Sequence, residues 1–190
     1  MKNELIAQGT VESLSINGNQ LESIDFEITG PSGDKHASGL RQLSGHDGAY
    51  IATSDRVRGD WIFNFRTWTA LSREEIDQVD SALEVKIPPG CLLENVIVSG
   101  IPNFSKLPPT TRLVFKSREE DGFMRPILAV WEENGPCKTV GRRLENLYAR
   151  EGLKSAFISL AKDKRGLMGF VLGIGTVKVG DRVLVYPPAE

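Results

Sequence analysis

Ile127-Leu128-Ala129-Val130-Trp131-Glu132-Glu133-Asn134-Gly135-Pro136-Cys137 is the stretch on which the fold turns. It opens as an apolar run of strand length and stops at a Gly-Pro bend. Beyond the bend Val140, Leu144, Leu147 and Tyr148 share one helical face, which predicts a helix starting just after Cys137. On either side lie more short strand patterns: Val96-Ile97-Val98, Leu113-Val114-Phe115, Gly169 to Leu172 after a second helical stretch at Leu153 to Ala161, and a strand pair about Val179-Gly180-Asp181.

The N-terminal third continues the pattern. Leu14 and Ile16 alternate with polar residues up to Asn17-Gly18-Asn19, a hairpin signal, and Ile24, Phe26 and Ile28 alternate after it. The glycine-rich stretch carrying Gly30, Gly33, Gly39, Gly45, Gly48 and Gly59 has no period and reads as one long loop of the kind that often carries function. Trp61, Phe63 and Phe65 alternate with Ile62, Asn64 and Arg66, predicting a half-buried strand with Asn64 and Arg66 on its polar side. Ser72 and Glu75 form a capping box, Leu71 and Ile76 a staple across it, and Ile76, Val79 and Leu83 one helix face. About eight or nine strands with three short helices predict a mainly β chain. Many short strands with few helices point to a barrel or a strongly bent sheet with peripheral helices, one domain over residues 1–190.

At 190 residues, 40% apolar and 25% charged, the composition is that of a folded globule. A formal charge of −2 argues against general nucleic-acid binding. No apolar run is long enough to span a bilayer and Met1-Lys2-Asn3-Glu4 opens no signal-like segment, so no membrane partner and a cytoplasmic location are expected. The two cysteines are a poor fit to a lone disulfide there. Cys91, beside Leu92 and Leu93, reads as core. Cys137 stands at the bend, before a helix and near Lys138, Arg142 and Arg143, where helix dipole and cations both favour the thiolate. A buried, inert thiol is the competing reading. His36 and His46 have no third ligand at metal spacing and read as polar loop residues, and Gly173-Ile174-Gly175 opens no helix and is no dinucleotide fingerprint.

Around Cys137 the order of short motifs resembles the MOSC domain family, named after the C-terminal domain of molybdenum cofactor sulfurase. Gly33-Asp34-Lys35-His36-Ala37, Asn64-Phe65-Arg66 with the helix after it, Glu94 to Ile101, Gly135-Pro136-Cys137, and Arg165-Gly166 with Gly175 to Asp181 carry the resemblance. It runs from about Gly9 to about Val185. Leu93 and the segment Leu144 to Lys164 depart from the pattern. The chain is similar to the small stand-alone bacterial members, without the pyridoxal-phosphate desulfurase domain of the full sulfurase.

The resemblance implies a mainly β fold, a closed β-barrel like that of the pyruvate kinase barrel domain with a few short peripheral helices. It also implies a role at the molybdenum cofactor (molybdopterin) or in sulfur carriage, with Cys137 as catalytic thiolate and metal ligand. A soft thiolate suits either task. For an anionic pterin, the loop holding Gly33, Asp34, Lys35 and His36 would offer backbone N–H groups, Lys35, Arg41, Arg66 and Arg142 cations, and Asn64 and Asn95 hydrogen bonds to the pterin edge. Against these stand plainer roles: a surface ion pair for Arg66, and a solvated helix face for Lys138, Arg142 and Arg143. Three functions follow. One is reduction of N-hydroxylated compounds with electrons from a separate reductase. The second is persulfide carriage from a cysteine desulfurase to metal–sulfur assembly. The third is a non-catalytic binding module. Substrate and oligomeric state stay open.

Overall fold

The computed structural model describes residues 4–44, 47, 51–117 and 125–188. The first strand, β1 (Ala7–Ile16), turns through Asn17 and Gly18, both at positive φ, into β2 (Asn19–Leu21). That is the hairpin geometry an Asn-Gly pair favours. β3 (Ser23–Glu27) buries Ile24 and Phe26, whereas Ile28 lies beyond its end and is exposed. The stretch expected to be one long loop contains two short strands, β4 (Gly30–Pro31) and β5 (Leu40–Gln42), paired to β3 and to β6 (Trp61–Phe63) respectively. Glycine density masked these strands, because each is only two or three residues long.

β6 also reverses the expected facing. Ile62 and Asn64 are buried, and Trp61, 61% exposed, and Phe63 point outward. Asn64 faces in because its amide is fully bonded there, which lets two large aromatic rings take the solvent side.

β7 (Trp68–Ser72) leads into α1 (Arg73–Leu83), which crosses over to β8 (Val96–Ser99); β7 and β8 are parallel, with Ala70 opposite Val96. Ser72 caps α1 by accepting from the Glu75 N–H. The Glu75 carboxylate does not complete the box; it binds the backbone N–H and hydroxyl of Ser105 instead. Ile76, Val79 and Leu83 are buried as expected.

β9 (Arg112–Lys116), β10 (Ile127–Glu133), α2 (Lys138–Tyr148), α3 (Leu153–Leu160), β11 (Leu167–Gly173), β12 (Gly175–Lys178) and β13 (Arg182–Tyr186) complete the order. Seven strands run β13–β9–β10–β11–β7–β8–β1, and β1 returns to β13, closing the barrel. Closure removes open edges. The expected mainly β closed barrel with short outer helices is therefore what the chain adopts, with more strands than the eight or nine read from the sequence.

Two apolar clusters hold it. Inside the barrel sit Phe26, Trp68, Phe104 and Phe115; outside, Leu71 and Ile97 of the wall meet Ile76, Val140, Leu144 and Phe157 of the helices. Leu147, expected on the buried face of α2, is exposed. Where β11 begins, Gly166 has φ +75°, and a Cβ there would lie 1.9 Å from the Ala70 carbonyl oxygen. Only glycine fits so close an approach.

Candidate functional site

Cys137 is the N-cap residue of α2, with extended backbone (φ −128°, ψ 160°). Its carbonyl accepts the first helical hydrogen bond, from Gly141 N–H at 3.1 Å, and its side chain makes no capping bond. The thiol is free and half-buried, partly packed against the outer apolar cluster. It borders a cavity of about 300 Å³ walled by Asp34, Arg66, Trp68, Asn95 and Arg165. A wider hollow of about 740 Å³ shares Cys137, Lys35, His36, Arg66 and Arg165, and adds Arg41 and Asn64. The larger volume is within the range of ligand sites.

The bend before Cys137 is held by Arg165, 7% exposed. Its Nη1 donates to Asn134 Oδ1 (2.6 Å) and the Gly135 carbonyl (2.8 Å), and Nη2 to the Leu92 carbonyl (3.2 Å). Burial lowers the Arg165 pKa, while Cys137 and Glu94 oppose that by attraction. Glu94 is itself buried: burial pushes its carboxyl up, against hydrogen bonds from backbone N–H groups, Gly90 first, and the Arg165 charge.

The opposite wall is the loop after β4. Gly33 (φ +82°) turns it, and its carbonyl accepts from Asn17 Nδ2 at 3.0 Å. Asp34 accepts from His36 N–H (2.8 Å), from Asn95 Nδ2 (2.8 Å), and pairs with His36 Nδ1 (3.2 Å). Burial acts to raise its pKa, but the bonds from His36 and Asn95 outweigh it and hold the carboxyl below its ordinary value. The His36 ring is 64% exposed. Lys35 is exposed and makes no ion pair among the described residues.

Arg66 is no isolated surface pair. It binds Glu132 through Nε (2.7 Å) and Nη2 (2.6 Å), and Asp47 through Nη1 (3.1 Å). Arg41 takes Asp47 in a two-toothed grip at 2.9 and 2.7 Å. The Arg41 hydrogen bond is the largest influence on Asp47; with the Ser44 bonds and the Arg66 charge it outweighs burial and holds the carboxyl well below the usual range.

The structure thus brings Asp34, Lys35, His36, Arg66 and Asn95 to the cavity that Cys137 borders, with Asn64 on the adjoining hollow. Gly33 shapes the loop but is not on the wall. The side-chain amides of Asn64 and Asn95 are engaged within the protein: Asn64 with His36 and Ser38, Asn95 with Asp34, Ser15 and Thr69. They position the loop. Arg142 is exposed on the outer side of α2, lining a separate hollow with Lys138, Thr139 and Arg143. Its reach into the thiol cavity, expected from sequence spacing, fails because its helical position turns it away. His46, Gly45 and Gly48 lie outside the described residues. Cys91 is buried, and burial raises its thiol pKa against the pull of Arg143.

Sequence reasoning passed over Asn134, Glu94 and Arg165 as site residues. Glu94 follows Leu92-Leu93, a signal that a charge there is buried, whereas Arg165 follows Lys162-Asp163-Lys164 and nothing local marks it as buried.

A closed barrel with a cysteine at a helix N-terminus, facing a cavity lined by cations, defines a class of thiol-centred barrel proteins. The model of the MOSC domain matches residues 61–184. The chain belongs to the MOSC domain family. It is 32% identical over 171 residues, covering 88% of this chain and 81% of the relative, to YuaD of Bacillus subtilis (strain 168), named as a candidate metal–sulfur cluster biosynthesis protein. The crystal structure of YuaD from Bacillus subtilis superposes with a TM-score of 0.83 at 27% identity, covering 96% of this chain and 97% of that one. A crystal structure of a hypothetical protein shares the fold at a TM-score of 0.58 and 12% identity, covering 94% of this chain and 68% of that one.

Among the described residues no group of three or more His, Cys, Asp or Glu side chains could hold a metal ion, and no helix is long and apolar enough to cross a membrane.

Proposed function

We propose that this chain is a sulfur- and metal-handling MOSC protein whose working atom is Cys137 Sγ. The observation that carries the reading is the placement of a free thiol at the N-terminus of α2, against a cavity whose walls include Arg66, Lys35 and Arg165. An accessible cysteine at the N-terminus of a helix, beside a cavity, is the setting in which a sulfur serves as nucleophile or soft ligand. In the first reading Cys137 carries sulfur. Its thiolate attacks the outer sulfur of a donor persulfide, a new S–S bond forms on Cys137, the donor's S–S bond breaks, and the donor cysteine leaves as thiolate. No net electrons change hands. The YuaD name, tied to metal–sulfur assembly, favours this reading.

A second reading has Cys137 as a ligand of molybdenum in its pterin cofactor. The cavities are large enough for part of a pterin, and two residues lining the smaller one, Trp68 and Arg165, each have a buried donor (Nε1 and Nε) without a hydrogen-bond partner among the described residues. The residues fit to that extent. Cys137 would supply the soft ligand and Lys35 a free cation. When bound, the cofactor would supply two-electron redox chemistry, such as reduction of an N-hydroxylated compound with electrons from a separate reductase. The family association with the molybdenum cofactor supports this reading.

Incubation with a cysteine desulfurase and cysteine should add one sulfur atom to Cys137, read by peptide mass. Purification from a cofactor-producing host should give molybdenum that Cys137→Ala loses if the second reading is right. A protein that gains no sulfur and carries no molybdenum has neither function.

A further inference from the structure

The outer face of the first turns of α2 carries Lys138, Arg142 and Arg143, all exposed, around a shallow hollow of about 290 Å³ completed by Thr139 and Asn146. No carboxylate among the described residues borders this hollow. Lys138 and Arg142 make no ion pair among the described residues, and the first turn of α2 holds no acidic residue. Lys138 stands against ordinary helix design, because the positive end of the dipole disfavours a cation in the first turn; Arg142 and Arg143 follow in the second turn. They are also out of keeping with a chain of net charge −2. Thr139 borders both this hollow and the thiol cavity, so the basic face runs up to the mouth beside Cys137.

We propose that this face is the docking surface for an acidic sulfur-donating protein, whose negatively charged rim seats on Lys138 and Arg142 and brings its persulfide to Cys137. This rests on the sulfur-carrying reading of the site. Opposite charges across such a rim raise the rate of encounter and fix orientation, and the gain fades with salt. The surface then explains how a half-buried thiol is reached by a second protein: the partner is steered to a side of the mouth where several exposed cations cluster on one helix.

The test compares the intact protein with the double variant Lys138→Glu/Arg142→Glu. Glutamate in place of Lys138 is favoured by the helix dipole, so the fold is retained, which a thermal melt checks. Persulfide formation on Cys137 is timed with inorganic polysulfide and with a cysteine desulfurase plus cysteine, each at low and high salt. The expected result is loading by the desulfurase slowed on the order of tenfold at low salt, a flattened salt dependence, and a much smaller slowing with polysulfide, a small anion that needs no docking face. Equal desulfurase rates and equal salt slopes in both proteins overturn the proposal. So does loading of the intact protein by polysulfide but not by the desulfurase, which leaves the thiol site standing. Failure of both donors on the intact protein removes the sulfur-carrying reading itself, and the docking surface with it.

Discussion

Arg165 Nη1 donates to Asn134 Oδ1 across 2.6 Å, tying the residue after β10 to the residue before Gly166 and β11. The same nitrogen holds the Gly135 carbonyl, so one buried guanidinium sets the path of the chain into Cys137.

Arg165→Met should therefore cost about 2–4 kcal/mol, since each buried acceptor left unpaired costs about 1–3 kcal/mol. It leaves the Asn134, Gly135 and Leu92 acceptors unpaired and removes the charge that favours the ionised form of Glu94. Urea unfolding measures the loss. Arg165→Lys should recover part of it, since one ammonium cannot replace two guanidinium arms. Equal stability of Arg165→Met and the parent would contradict the clamp.

Glu94 predicts a dependence on pH. Its carboxyl is raised in the folded state, so the folded protein binds more protons than the unfolded one above the unfolded carboxylate value. Its contribution is full at low pH and falls as pH rises from about 4.3 toward the folded value. Glu94→Gln cannot ionise and should gain stability relative to the parent as pH rises from 4 to 8. Unfolding free energies at both pH values check this; a constant difference refutes it.

Asp47 acts in the opposite sense. Its carboxyl is held low by Arg41 and Arg66, so its contribution is full above the unfolded value and is lost as pH falls below about 4. Asp47→Asn should cost about 1–3 kcal/mol at pH 7, with the gap to the parent narrowing at pH 3. Arg66 would then keep only Glu132, and its order parameter or crystallographic mobility should show the release.

The two cysteines should separate by reactivity. In the native protein a disulfide reagent should titrate Cys137 alone, while Cys91, 7% exposed, reacts only after unfolding. Cys137→Ser should therefore abolish native labelling, and Cys91→Ser leave it unchanged. Fast labelling of Cys91 would place the reactive sulfur elsewhere.

Much of the barrel was readable because it rests on local pattern. Asn17-Gly18 demands positive φ, Ser72 and Glu75 sit at capping distance, and Leu128 and Val130 can only be buried. Alternation misled at Trp61 and Phe63, where hydrophobicity pointed inward. The bonding needs of Asn64 decided the facing instead. The site was legible in part: Cys137 stood out by residue type and position, and the Asp34-Lys35-His36 loop through its likeness to the family motif. Arg142 was drawn in by nearness along the chain, which on a helix does not mean nearness to one cavity.

Residue order alone determined the strand and helix pattern, the bend at Gly135-Pro136, and a thiol at the start of a helix, because each follows from interactions over a few neighbouring positions. Tertiary structure alone decided which charges face that thiol. Arg165, Glu94 and Asn134 meet only when β10 and β11 pair and the barrel closes. Arg66 is turned to Glu132 and Asp47 by the same closure. Electrostatic pairing depends on distance in space, and contacts between residues 31 and 66 positions apart leave no periodic trace along the chain.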